Sequence, residues 1–250
     1  MVLYSCTTAA EEVAAQAYTT PKEGKMPCSR VIYAWAVGGG AFCNPPSIAF
    51  ELKTTKPWYM LEIHYDNPSG AAGIVDDSGL DIVVRNGAAV ANYQTAGMMW
   101  FAASIPEIKI PPGLPHFEVE ATCKFGAESN FQGKATIPSE GVTMYGSMLH
   151  GHTLARKIWT EVHRGGTFYE SDANCATDYD FDLQETLPFP EQLKVYPNDQ
   201  FVTHCVYDST GRSKSIYWFS PRICSRTLVG CSEPPTPHLG VLSGQQPATF

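Results

Sequence analysis

His150 and His152, in the stretch Leu149-His150-Gly151-His152-Thr153-Leu154, are the residues whose type and spacing point most directly to chemistry. On an extended strand alternate side chains leave the same face, so imidazoles at i and i+2 stand side by side, roughly 6 to 7 Å apart at the backbone. One metal ion bridges that gap. A His-x-His pair alone is a weak signal, because chance pairs on a wet strand face outnumber ligand pairs. A third histidine adds weight: His64, in Leu61-Glu62-Ile63-His64-Tyr65-Asp66-Asn67-Pro68, sits on a strand that ends in an Asn-Pro turn. Met148 lies two positions before His150 and shares its strand face, where a thioether is either a soft ligand or, more commonly, core packing.

The elements that must hold these residues read as short strands. Arg30 to Val37, Trp58 to Tyr65, Leu80 to Val84, Phe117 to Cys123, Lys157 to His163 and Gln200 to Tyr207 are β-rich runs punctuated by Gly, Pro, Asn and Asp. Many short strands with 21 Gly and 19 Pro predict an all-β chain of sandwich architecture. Thr7 to Tyr18, rich in Ala and Glu and bounded by Pro21, predicts a short capped helix. Asn86-Gly87-Ala88-Ala89 reads as a linker, which divides the chain into 1–88 and a second sandwich at 89–231. Residues 232–250, with Pro234, Pro235, Pro237 and Pro247, read as an extended tail.

Composition narrows the classes. A chain of 250 residues with 44% hydrophobic and 17% charged residues can build a core. Its net charge of −8 with scattered Lys and Arg speaks against nucleic acid or an anionic membrane surface as a partner. No apolar run reaches the roughly 20 residues of a membrane span, and Met1-Val2-Leu3-Tyr4-Ser5-Cys6 lacks a charged leader with a long apolar stretch behind it. Eight cysteines without a Cys-x-x-Cys pair read as disulfides, and so as an oxidising secreted or lumenal setting. Trp35, Trp58, Trp100, Trp159 and Trp218 fall in predicted strands and read as core. His116, His163, His204 and His238 have no second donor at metal spacing along the chain and read as structural. No Ser-His-Asp set, phosphate loop or nucleotide fingerprint is present.

Taken together, the segments around His64 and His150-Gly151-His152, with Tyr33-Ala34-Trp35-Ala36-Val37-Gly38 and Asp180-Phe181-Asp182-Leu183-Gln184-Glu185, resemble the copper type II, ascorbate-dependent monooxygenases. The likeness runs from the first residue to about Cys231. It implies two disulfide-braced, jelly-roll-like β-sandwich domains, each with a mononuclear copper site. One site takes electrons from ascorbate; the other activates dioxygen for insertion into a C–H bond of a small-molecule substrate.

The resemblance also assigns residues. His150 and His152 match the histidines of the oxygen-activating site. Its Met ligand position is occupied by Ile223, so Met148 is the substitute on offer. His64 matches one of three histidines of the electron-transfer site. Met1 to Cys6 is similar to the strand that follows the other two, so either the sequence is truncated ahead of that strand or the site is lost. The pairings implied are Cys6–Cys28, Cys205–Cys224 and Cys123–Cys231, with Cys43 and Cys175 left over. Met148, Ser225 and Thr227 stand where peptide-amidating members hold a peptide carboxylate, and none can form a bidentate salt bridge. Glu62 and the Asn-Pro turn match the dopamine-type branch. The expected function is therefore copper-dependent hydroxylation of a small organic substrate. The alternative is an inactive descendant acting as a structural or binding subunit with protein partners.

Overall fold

A computed structural model describes residues 1–17, 27–28, 30–52, 58–65, 67, 69–102, 108–124, 137–171, 175–218, 224–232 and 243–245. It is all-β, as the strand-length apolar runs predict, and it divides into two compact units: residues 1–36, 40–98 and 234–250, and residues 37–39 with 99–233. The Asn86-Gly87 stretch is a 3-10 turn (Gly87–Val90) inside the first unit, with Val90 buried against Ala49.

The first unit contains β1 (Val2–Ser5), α1 (Ala9–Gln16), β2 (Arg30–Ala34), β3 (Phe42–Cys43), β4 (Ile48–Phe50), β5 (Tyr59–Glu62), β6 (Asp81–Ile82) and the start of β7 (Gln94–Ala102). β1 is the centre of a three-stranded antiparallel sheet between β2 and β5. α1 begins at the predicted place because Thr8 and Glu11 form a reciprocal capping box, which satisfies backbone donors that the first turn leaves open. Cys6 and Cys28 are disulfide-bonded, and with Tyr4 they form the small core under α1.

The second unit contains β8 (Ile108–Ile110), β9 (Phe117–Lys124), β10 (Val142–Gly151), β11 (Ala155–Arg164), β12 (Thr167–Ser171), β13 (Thr186–Val195), β14 (Gln200–Tyr207), β15 (Ile216–Trp218) and β16 (Cys224–Ser232); β17 (Ser243–Gln245) pairs back onto β3 and β6. One sheet has β10 between β13 and β16, and the other runs β12-β11-β14-β9. Met144, Phe189, Leu193 and Val195 of the first sheet pack on Val162 and Phe201 of the second, which makes a face-to-face sandwich. A second cluster joins Val119, Ile158, Cys205 and Tyr207. Burying side chains of this size contributes roughly 1.5 to 3 kcal/mol each, so this unit is a rigid frame for its loops.

Two cysteine expectations meet the structure differently. Cys205 is disulfide-bonded. The expected Cys123–Cys231 bridge is corrected: Cys123 carries a free thiol, as do the exposed Cys43 and Cys175. Cys123 pairs across β14 with Phe201, whereas Cys231 lies on the other sheet opposite Thr143.

Candidate metal centre

β10 and the turn after it position the histidine pair. A bulge between Met144 and Gly146 resets the strand's alternation. Beyond it Leu149 packs on the core, so Met148 and His150 share the opposite face. Met148 is buried. The strand ends at Gly151, and His152 opens a turn in which its carbonyl accepts from the Ala155 N–H at 2.7 Å. The His150 and His152 rings stand 5.5 Å apart, inclined by 70°.

Gly151 between them is held from both sides. The Tyr179 hydroxyl accepts from the Gly151 N–H at 2.9 Å and donates to the Gly151 carbonyl at 2.9 Å, both bonds being buried. A Cβ at this position would lie 2.8 Å from Ala155 Cβ and 2.8 Å from Ile158 Cδ1. Only glycine fits without a shift of its neighbours, so the spacer of the His-Gly-His motif is set by packing as well as by the ligand spacing.

A residue that the motif does not reveal orients His150. Gln184, 3% exposed, donates from Nε2 to the Phe181 carbonyl at 2.7 Å, which fixes the sense of its amide. Its Oε1 therefore faces His150 Nδ1 at 2.6 Å. An amide oxygen only accepts, so Nδ1 carries the hydrogen and Nε2 is left with the lone pair a metal needs. Gln184 is itself anchored by its N–H to the Val37 carbonyl at 2.9 Å. Gly38 beside it has φ +80°, and a Cβ there would overlap the Asp182 carbonyl oxygen.

The electrostatics agree with a ligand pair. Burial, and secondarily the neighbouring His150, push the His152 imidazole down to about 4. It is therefore neutral near pH 7, the form that binds metal. Two neutral imidazoles, one with its tautomer set by a fixed acceptor, form a donor set that suits copper. Among the described residues no three His, Cys, Asp or Glu side chains form a group able to hold a metal. Ile223 lies outside the described residues.

His64 belongs to the first unit and the pair to the second. Its side chain is 72% exposed, and its Nε2 lies 2.6 Å from Glu62 Oε1. Glu62 Oε2 accepts from the Tyr4 hydroxyl at 2.7 Å, so the carboxylate joins β5 to β1 as well as holding the imidazole. A cavity of about 290 Å³, lined by Ser147, Leu149, Tyr179, Asp180, Glu185 and Leu187 among others, lies on the core side of β10, opposite His150. Two structural readings change: Trp159 is not core but stacks on His204, and His163 and His204 each have glutamate partners brought in by the fold.

Comparison with known families places this geometry. Residues 1–72 match the N-terminal domain, and residues 94–218 the C-terminal domain, of copper type II ascorbate-dependent monooxygenases. Human DBH-like monooxygenase protein 1 is 31% identical over 76% of this chain and 30% of its own length. Tyramine beta-hydroxylase of Caenorhabditis briggsae is 31% identical over 77% of the chain and 32% of its own length. Dopamine beta-hydroxylase of the dog is 29% identical over 78% and 30%. The chain thus spans about a third of the length of these relatives.

Proposed function

Because this chain belongs to the copper type II, ascorbate-dependent monooxygenase family, we propose that it hydroxylates a C–H bond of a small organic substrate, with dioxygen as oxidant and ascorbate as reductant. The observation that carries this reading is the Gln184–His150–His152 arrangement, a neutral imidazole pair with one ring locked in the metal-binding tautomer.

His150 and His152 would hold copper in the second unit, and His64 would contribute to a centre in the first. Bound there, copper supplies one-electron chemistry with dioxygen. The chain's own part is positional. Gln184 holds the His150 proton at Nδ1, Tyr179 clamps the peptide between the imidazoles, and Glu62 holds His64 at Nε2.

The substrate class is the dopamine-type branch rather than a peptide. Met148 is buried and carries no charge to meet a carboxylate, and the positions matching the rest of the peptide clamp are Ser225 and Thr227. Relatives named for tyramine and dopamine supply the first compounds to try. The disulfides at Cys6–Cys28 and Cys205 support an oxidising, lumenal or secreted setting. No helix among the described residues is long and apolar enough to cross a membrane.

The test is copper stoichiometry on the disulfide-intact chain, followed by ascorbate-driven oxygen uptake and product analysis with tyramine and dopamine. Copper bound by the wild type and lost in His150→Ala, with hydroxylated product, bears the proposal out. The second reading, a non-catalytic binding subunit, rests on Ile223 at the thioether position. It is favoured by copper binding without turnover, and an absence of copper binding removes the enzyme reading altogether.

A further inference from the structure

The outer face of the second unit's other sheet carries a row of histidines and glutamates that the monooxygenase reading does not use. Ile158, Thr160 and Val162 of β11, Thr203 and Cys205 of β14 and Val119 of β9 are buried. Alternation therefore sends Trp159, Glu161, His163, His204 and Glu118 to the opposite face. The register places Trp159 directly across from His204, so Glu161 and His163 follow along the neighbouring strand.

Glu161 stands at the centre. Its Oε2 lies 2.8 Å from His163 Nε2 and its Oε1 3.8 Å from His204 Nε2. On the far side, His204 Nδ1 lies 2.8 Å from Glu118 Oε1, and His116 Nε2 is 3.7 Å from the other oxygen of that carboxylate. A carboxylate accepts, so His204 Nδ1 carries the hydrogen and Nε2 has the lone pair. That Nε2 is buried and has no hydrogen-bond partner. The Trp159 ring, stacked at 4.6 Å and inclined by only 4°, holds the imidazole in this orientation.

A neutral His204 in this pose aims a dry lone pair at a carboxylate oxygen, an arrangement with nothing to recommend it unless a cation lies between. A carboxylate behind an imidazole whose free nitrogen faces further donors is the arrangement that orients metal-bound histidines. Ligand atoms around a four-coordinate ion with bonds of about 2.0 to 2.2 Å stand roughly 3.3 Å apart. The 2.8 and 3.8 Å separations straddle that value. As the side chains stand, no three donors among the described residues form a finished cage, so the ion must draw Glu161 and His163 in toward His204. His163 is 25% exposed, which leaves a path from solvent.

We propose that His204 Nε2, Glu161 and His163 Nε2 form a binding site for a divalent zinc-class cation, with Glu118 and Trp159 positioning His204. The site lies on β11 and β14, on a different sheet from His150. Two imidazoles and a carboxylate with a position open to solvent form a donor set suited to zinc.

The test measures zinc binding by equilibrium dialysis on the full chain carrying His150→Ala and His152→Ala, which removes the other imidazole pair. One equivalent of zinc should remain. It should weaken at least tenfold on adding His204→Gln or, separately, His163→Gln, and cobalt in its place should show the absorption bands of a tetrahedral nitrogen and oxygen site. His163→Gln changes a partly exposed side chain, so loss of zinc there with an unchanged circular dichroism spectrum separates ligand loss from misfolding. No retained equivalent, or retained zinc indifferent to both substitutions, overturns the site and leaves the row as proton-sharing pairs.

Discussion

The Gln184 side-chain oxygen accepts from His150 Nδ1 at 2.6 Å, while the other end of the same amide is committed to the Phe181 carbonyl. The second bond removes the freedom to flip, so the protonation of one ring nitrogen is written into the fold. Gln184→Leu abolishes both bonds. Copper affinity at the His150–His152 pair should fall about 10- to 100-fold, the usual effect of losing an orienting partner. Competition against a chelator reads this, and an unchanged affinity would show that Gln184 does not act through His150.

Tyr179 acts on the spacing of the pair rather than on either ring. Its hydroxyl serves both backbone groups of Gly151, and burial pushes its phenol up to about 12, so it remains a donor at all ordinary pH values. Tyr179→Phe leaves the Gly151 N–H and carbonyl without that partner, at a cost of about 1 to 3 kcal/mol. Urea unfolding measures the cost. Copper affinity should drop in parallel, because the peptide joining His150 to His152 is no longer held.

Gly38 controls the loop that presents Gln184. With φ +80° and the Asp182 carbonyl where a Cβ would go, Gly38→Ala must displace the 182–184 backbone. A left-handed conformation alone costs a non-glycine residue about 1 to 2 kcal/mol, and the overlap adds to that. The expected outcome is a lower melting temperature together with weaker copper binding. Weakened stability with copper affinity intact would uncouple this loop from the site.

The Arg164–Asp199 pair ties β11 to the turn before β14 and predicts an acid limb. Arg164 donates to both Asp199 oxygens at 2.9 and 2.8 Å, and the Tyr196 N–H adds a third bond at 2.9 Å. Burial works to raise the Asp199 carboxyl, but the Arg164 and Tyr196 hydrogen bonds outweigh it and hold it below the usual carboxylate range. A depressed native value means that the unfolded chain takes up the proton first. The stabilisation is therefore present above the ordinary Asp value of about 3.9 and is lost as pH falls through the lower native one. Unfolding free energies at pH 6 and pH 3 should differ less in Asp199→Asn than in the wild type. Equal differences would mean that the pair does not contribute to the acid response.

The cysteines give a chemical check on the corrected pairing. Cys43 and Cys175 are exposed, whereas Cys123 is half-buried with its thiol pushed up by burial. A thiol-specific reagent on the native chain should label Cys43 and Cys175 first and Cys123 more slowly. Peptide mapping that finds Cys123 in a disulfide would restore the bridge to Cys231.

What the sequence determined by itself is whatever local periodicity and short motifs encode. The run from Gln200 to Tyr207 alternates apolar and polar residues and is a strand over that whole span; Thr8 and Glu11 cap the helix that their spacing predicts; His150 and His152 stand together because a strand end brings i and i+2 to one side. The tertiary structure decided everything that rests on partners from distant segments. Gln184 and Tyr179 lie 34 and 28 positions from the groups they hold, and no spacing rule links them to His150 or Gly151. Trp159 looked like core because its strand is apolar, yet a bulge at one end of that strand and its register with β14 turn it outward onto His204, 45 residues away in the chain. Side-chain type announces which chemistry is available. Only the packing of two sheets sets which nitrogen holds a proton and which is free to take a metal.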